Sequence, residues 1–212
     1  MGCDIHAYIE YFDASVLVKA KNSTVQAHSF SSEINLGRNY TLFSIMAGVR
    51  GTSMPVVNPR GIPDYPTLGF DARSAYYAEV IDGESSKYSF SRNCYSRESA
   101  NILVQENRTS YVDENNSMII EPSWHTPSWL NTNELIKVRK EYLIEAIEYN
   151  YEMKGKRRRD ALNILNSSSE IELMQHVFGD VECATLNACI GSMIALERSG
   201  DYKARLVFWF DS

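Results

Sequence analysis

The chain has 212 residues and a formal net charge of −6 at pH 7. This acidic balance argues against a general nucleic-acid binder, which needs a basic surface to displace counterions. No uninterrupted apolar run of about 18 residues occurs, and the start lacks a basic segment followed by an apolar stretch. We therefore expect a cytoplasmic protein with no membrane partner. The four cysteines include no C-x-x-C pair, so no zinc cluster is expected.

The first predicted element is a β-strand in the opening segment MGCDIHAYIEY. Its odd positions are apolar and predict a core face, because successive side chains of a strand point to opposite sides. The opposite face is rich in ionisable groups and consists of Asp4, His6, Tyr8, Glu10 and Phe12. This face is either the solvent-facing side of an antiparallel sheet or the floor of a binding site.

Short strands and a helix follow. The segments SVLVKA at 15–20 and TVQAHSF at 24–30 predict two strands. The spacing of the apolar residues then changes from strand-like alternation to that of a helix. The residues at helical spacing are Tyr40, Phe43, Met46 and Ala47. Gly48 is placed to end this helix.

Positions 52–128 contain all six prolines and many serines and asparagines, which predicts a loop-rich insertion. Within it, DARSAYYAEVI at 71–81 predicts a short helix with Asp71 as its N-cap. The segment 99–120 predicts a hairpin. Loops of this length inside a compact domain are usually functional or mobile.

The C-terminal part predicts helices and a final strand. Asn131 and Glu134 have the spacing of a capping box, so a helix begins there. Its apolar stripe is Leu135, Val138, Tyr142, Ala146, Tyr149 and Met153. A second helical piece is expected at 156–165. It overlaps a basic run at 154–159, and such a run is typical of a solvated turn between helices. A further helix runs from an N-cap at Asp180 to Gly200, and KARLVFWFD at 203–211 alternates as a strand.

Strands at both ends with helices between them predict an α+β fold. We expect one domain over residues 1–212, with the loop-rich insertion at about 52–128. Its antiparallel sheet includes the N-terminal and C-terminal strands and is backed by two or three long helices.

Asp4 and His6 are the first candidates for a functional site. They lie on one side of the first strand, about 6–7 Å apart given the rise per residue of a strand. A carboxylate and an imidazole at this spacing suit acid–base catalysis, metal binding or ligand anchoring. The other histidines fit no metal-binding spacing, so neither a metal nor a cofactor is expected.

The segment GRNYTLF places Arg38 and Asn39 directly before a helix. Arg38 and the free N–H groups of the first helical turn can bind a phosphate, and Tyr40 can stack on a base. In the simpler interpretation, Asn39 only caps the helix and Arg38 points into water.

Two further segments offer ligand-binding groups. NPRGIP holds Arg60 between two prolines, and Gly61 permits close backbone approach. Arg60 is then either a bidentate phosphate ligand or an exposed side chain in an ordinary turn. HTPSWL supplies His125 and Ser128 as hydrogen-bonding groups and Trp129 as a stacking surface. Alternatively, Trp129 packs as a hydrophobic staple at the start of the next helix.

Six short motifs occur in this order along the chain: GCDIH, GRNYTLF, AGVRG, PRGIP, HTPSWL and a terminal FWFD. Together they resemble a family of small, mostly uncharacterised bacteriophage proteins. The resemblance implies an accessory protein in the cytoplasm of an infected bacterial host. Small phage proteins of this kind often disarm host defence by holding or destroying a nucleotide-derived immune signal, which is an association and not chemistry deduced from the residues.

The first functional hypothesis is a protein that binds and sequesters such a signal, of the cyclic ADP-ribose or cyclic dinucleotide type. The expected ligand-binding residues are Asp4, His6, Arg38, Asn39, Tyr40, Arg60, Gly61, His125, Ser128 and Trp129. Five of them should surround one pocket: Asp4, His6, Arg38, Arg60 and His125. A sequestering pocket needs complementarity to its ligand but no nucleophile or metal.

Two alternatives stay open. The first is a metal-independent phosphodiesterase in which His6 and His125 act as general acid and base, with Asp4 as the third catalytic residue. The second is a protein–protein inhibitor of a host defence enzyme. The sequence also leaves open whether the chain forms a homo-oligomer.

Overall fold

The computed structural model describes residues 2–14, 27–63, 72–82, 94–108, 111, 117–121, 123–153, 163, 166 and 181–212. Its elements, in chain order, are β1 (Ile5–Asp13), β2 (Ala27–Ser29), α1 (Tyr40–Ala47), α2 (Ala72–Tyr76), β3 (Tyr77–Ile81), β4 (Cys94–Ser96), α3 (Arg97–Gln105), β5 (Met118–Ile119), β6 (His125–Asn131), α4 (Thr132–Met153), α5 (Val181–Arg198) and β7 (Tyr202–Phe210). None of the helices in these ranges could cross a membrane.

The main sheet has the strand order β2-β1-β7-β6, and all of its pairs are antiparallel. The two ends of the chain are neighbours in it, since β1 and β7 pair from Ile5 opposite Phe210 to Asp13 opposite Tyr202. The predicted α+β fold, with both terminal strands in one antiparallel sheet, is therefore confirmed.

One face of the main sheet packs against helices α1, α4 and α5. The odd positions of β1 and the even positions of β7 point to this side, and the β7 side chains of Ala204, Leu206, Phe208 and Phe210 are buried. Helices α4 and α5 have 22 and 18 residues. The largest of the described clusters of buried apolar side chains lies here, and burial of apolar surface is the main favourable contribution to folding.

The other face of the sheet is covered as well. Val207 and Trp209 on β7 pack against Ile62, Ala72 and Tyr76 from the central part of the chain. The polar face of β1 lies on this side, and its Glu10 is only 1% exposed. The interpretation of that face as a solvent-facing sheet side is therefore wrong for the middle of β1.

A smaller three-stranded sheet, with the order β4-β3-β5, lies within the central part of the chain. Its strand β3 follows the short helix α2 directly, so the helix predicted over 71–81 ends at Tyr76; Asp71 lies outside the described residues. The hairpin predicted at 99–120 is wrong over its first part, where α3 begins at its N-cap Ser96. Within the described part of this segment, the antiparallel bridge between Tyr111 and Met118 is what resembles the predicted hairpin.

The interpretation of Asn39 as a helix cap, the predicted end of α1 at Gly48 and the predicted start of α4 are confirmed. Asn39 caps α1 by accepting a hydrogen bond from the Leu42 backbone N–H, at 3.0 Å, and Gly48 ends it with a positive φ of 70°. Asn131 and Glu134 form a reciprocal capping box at the start of α4.

The apolar stripe predicted for α4 is only partly correct. Tyr149 is 65% exposed, whereas Leu143 and Ile147 are buried in its place. The buried face turns gradually around the helix because 3.6 residues per turn do not match a strict alternation of three and four. The strand predicted at 15–20 and the N-cap Asp180 lie outside the described residues, as does the helical piece predicted at 156–165 except for Asn163, which is helical.

Candidate functional site

An open depression of about 580 Å³ lies where the start of β1 meets the end of β7. Its lining residues come from β1, from the segment 33–38 and from the C-terminus: Asp4, Ile5, His6, Glu33, Asn35, Gly37, Arg38 and Asp211. Three of the five residues that were expected to share a pocket, namely Asp4, His6 and Arg38, lie here.

Asp4 and Arg38 form a bidentate ion pair at the rim of the depression. The Arg38 Nε lies 2.7 Å from Asp4 Oδ1, and its Nη2 lies 2.5 Å from Oδ2. Hydrogen bonds from Arg38 lower the pKa of Asp4, which holds its carboxylate in the charged form. Both side chains are about half exposed, at 52% and 54%, so a ligand can reach the pair.

His6 lines the depression and also contacts the rings of Trp124 and Trp209. Its Nδ1 lies 2.7 Å from Glu33 Oε1, and its ring stacks on Trp209 with a centroid distance of 5.5 Å. Since an ionised carboxylate only accepts hydrogen bonds, Nδ1 carries the proton. The other ring nitrogen, Nε2, lies 3.6 Å from Asp211 Oδ2 and has no hydrogen-bond partner.

Glu33 and Asp211 also line the depression, although neither was predicted from the sequence to be a site residue. Glu33 Oε2 accepts a hydrogen bond of 3.2 Å from the Tyr8 hydroxyl, whose pKa is raised to about 12 by burial and then by Glu33. Asp211 Oδ1 accepts a hydrogen bond of 2.7 Å from the backbone N–H of Asp4. The FWFD motif contained Asp211, but no local pattern distinguished Glu33 from its polar neighbours.

Arg60 does not line this depression, which corrects the expectation of a single pocket. Its guanidinium binds Glu134 at 2.5 and 3.2 Å and donates to the Trp129 backbone carbonyl at 2.8 and 3.1 Å. The same guanidinium covers the Trp129 ring, with its central carbon 3.4 Å from the ring centroid. The Arg60 guanidinium is therefore bound by Glu134 and Trp129. Gly61 donates its N–H to the Pro127 carbonyl.

His125 and Ser128 are also placed away from the depression. The His125 ring stacks on Phe210, whereas His6 stacks on Trp209, so the two imidazoles lie on opposite faces of the sheet. Burial, with Arg50 nearby, lowers the pKa of His125. Ser128 is buried, and its Oγ accepts a hydrogen bond of 3.3 Å from the Arg60 backbone N–H.

Asn39 and Tyr40 have structural contacts instead of a place at the depression. The Asn39 amide caps α1 and also donates a hydrogen bond of 2.8 Å to the Tyr142 hydroxyl. Tyr40 packs against Phe43 with a centroid distance of 5.9 Å and is partly exposed. Both residues were expected to bind a ligand, and neither lines the depression.

No group of three or more His, Cys, Asp or Glu side chains within the described ranges is arranged to hold a metal ion. Comparisons of the chain with protein-family models, with curated proteins and with solved structures found no match. The resemblance to bacteriophage proteins therefore stays a prediction.

Proposed function

We propose that the chain is a binding protein that holds a small nucleotide-derived ligand in the depression beside Asp4, His6 and Arg38. The observation that carries this proposal is the set of groups around one open cavity of about 580 Å³. This volume lies within the roughly 300–1,000 Å³ that is usual for small-molecule sites. The resemblance to phage proteins suggests the biological role, which is to sequester an immune signal of the infected host.

The depression offers complementary chemistry for the parts of a nucleotide. Arg38 keeps N–H donors beyond those that bind Asp4, since a guanidinium has five of them, and these suit a phosphate. The carboxylates of Glu33 and Asp211 suit sugar hydroxyls.

The geometry favours binding over hydrolysis. A metal-independent phosphodiesterase needs an acid and a base on the same phosphodiester. His6 and His125 lie on opposite faces of the main sheet, and of the two only His6 lines the depression. This observation leaves the hydrolase alternative without its predicted pair of histidines.

The test is retention of the ligand. Purified protein is mixed with cyclic ADP-ribose isomers and cyclic dinucleotides, washed and heat-denatured, and the released compounds are identified by chromatography with mass detection. Recovery of one intact compound in stoichiometric amount supports the proposal. Recovery of a cleaved compound supports the hydrolase, and a panel of compounds that are neither retained nor changed contradicts both and favours a protein partner.

A matched pair of variants locates the binding site. Arg38→Gln should weaken binding of the retained compound by about tenfold or more, because it removes a charge-assisted contact. The control is Arg97→Gln, since Arg97 also pairs with an exposed carboxylate, Asp82, but lies at the small sheet. Equal affinities of the two variants would place the ligand elsewhere.

A further inference from the structure

The depression contains more hydrogen-bond acceptors than donors. Three carboxylates, those of Asp4, Glu33 and Asp211, line it together with a single guanidinium. That guanidinium already uses its Nε and Nη2 groups on Asp4. A ligand that fits these groups presents several donors of its own, such as hydroxyls, in addition to its phosphates.

Glu33 is the carboxylate that is best oriented to accept them. Its Oε1 is fixed by His6 and its Oε2 by the Tyr8 hydroxyl, at 2.7 and 3.2 Å. Each carboxylate oxygen has two lone pairs, so one remains on each oxygen for a ligand. The side chain is 49% exposed and lines the depression, so a ligand in the depression can contact the carboxylate.

We infer that Glu33 selects a ligand with a free vicinal diol, and this inference rests on the proposed function. Two parallel acceptors match the two adjacent hydroxyls of a ribose, as acidic residues do in dinucleotide-binding sites. In a cyclic dinucleotide with 3′–5′ linkages, each ribose has one of these hydroxyls in a phosphodiester bond. Cyclic ADP-ribose retains both hydroxyls on each ribose. The site therefore belongs to the ADP-ribose class of ligand and not to the cyclic dinucleotide class.

Calorimetric titration with three probes tests this assignment: cyclic ADP-ribose, its analogue that lacks the 2′-hydroxyl of both riboses, and cyclic di-AMP. The wild-type protein should bind cyclic ADP-ribose about tenfold or more tightly than either of the others, because each loses a hydrogen bond to a charged acceptor. Glu33→Gln should remove this preference. The control is Glu106→Gln, since Glu106 has a similar exposure of 52% and pairs with Arg108 away from the depression.

Tyr8→Phe keeps the test decisive if Glu33→Gln does not fold. It removes the donor to Oε2 but leaves the carboxylate in place, and it should reduce the preference for the diol a few-fold. Tight binding of cyclic di-AMP overturns the inference while the proposed function stands. If Glu33→Gln folds and prefers the diol as strongly as the wild type does, the inference is also overturned. If Glu33→Gln does not fold, the same undiminished preference in Tyr8→Phe overturns it. Failure of the wild type to bind any of the three probes contradicts the inference and the proposed function together.

Discussion

Glu10 and Arg205 lie opposite each other on β1 and β7 and form an ion pair that is almost completely buried. Arg205 donates from Nε and Nη2 to Glu10 Oε2, at 3.0 and 2.9 Å. Glu10 Oε1 accepts a hydrogen bond of 2.8 Å from the backbone N–H of Ala72. The pair therefore connects the two terminal strands to the first residue of α2.

Removing one partner of this pair should be costly. Glu10→Ala removes the carboxylate that pairs with the buried Arg205 guanidinium and also removes the acceptor for Ala72. We expect the free energy of unfolding to fall by about 3–5 kcal/mol, measured by urea denaturation. Asp82→Ala, which breaks the exposed pair with Arg97, should cost no more than about 1 kcal/mol. Similar losses in both variants would show that burial of the Glu10 pair contributes nothing.

The contacts of Arg60 predict a coupled effect on the start of α4. Arg60 binds both oxygens of Glu134, whose Oε2 also accepts a hydrogen bond from the Asn131 N–H in the capping box. A double-mutant cycle of Arg60→Ala and Glu134→Ala should give a coupling energy of about 1–3 kcal/mol, in the upper part of the range for residues in direct contact. Arg60→Lys should recover little of the loss, because an ammonium group can neither bind in bidentate fashion nor stack flat on Trp129.

The comparison for that cycle is the exposed pair of Arg108 and Glu106, whose charged atoms are 3.5 Å apart. Its coupling energy should be less than about 1 kcal/mol. A coupling at Arg60 that is no larger than this would contradict a role in fixing the helix terminus.

His125 predicts a loss of stability in mild acid. Burial lowers its pKa in the folded protein, so the unfolded chain, with the ordinary value of 6.5, binds a proton more readily. The contribution of His125 to stability is therefore fully present above pH 6.5 and is lost as the pH falls toward the folded pKa. The loss in unfolding free energy between about pH 7.5 and about pH 5.5 should be smaller in His125→Gln than in the wild type. His28→Gln, at an exposed position, should not change it.

The fold was predictable where the signals are local or strongly periodic. Alternation over nine residues in β1 and in β7 indicated both terminal strands. Asn39 and the Asn131–Glu134 capping box lie next to the backbone groups that they satisfy, so their roles follow from spacing alone.

The candidate site was only partly predictable, because its decisive contacts join distant positions. Glu10 is buried through Arg205, which is 195 residues away in sequence, so alternation marked its face as polar. The Arg60 guanidinium is bound by Glu134, which is 74 residues away. The side of the sheet that His125 faces depends on β6, which was interpreted as a loop and has an irregular register between His125 and Ser128.

The motif GCDIH has a steric explanation that supplies a final prediction. Gly2 lies directly against the Arg38 guanidinium, and a Cβ at this position would overlap it. Since Arg38 lowers the pKa of Asp4 by hydrogen bonding, Gly2→Ala should displace Arg38 and let the pKa of Asp4 rise toward its ordinary value of 3.8. The stabilisation from this pair is fully present above that value and is lost as the pH falls through the folded pKa.

The measurement is an NMR titration of the Asp4 side-chain carboxyl carbon in the wild type, in Gly2→Ala and in Arg38→Gln. Both variants should move the Asp4 midpoint upward, and the shift in Gly2→Ala should not exceed that in Arg38→Gln. Gly191→Ala is the matched control, because a Cβ at that position of α5 meets nothing within 4 Å and should leave Asp4 unchanged. If Asp4 titrates in Gly2→Ala as it does in the wild type, the ion pair does not need the glycine. The contact between the GCDIH and GRNYTLF motifs would then depend on the ion pair of Asp4 with Arg38 and not on Gly2.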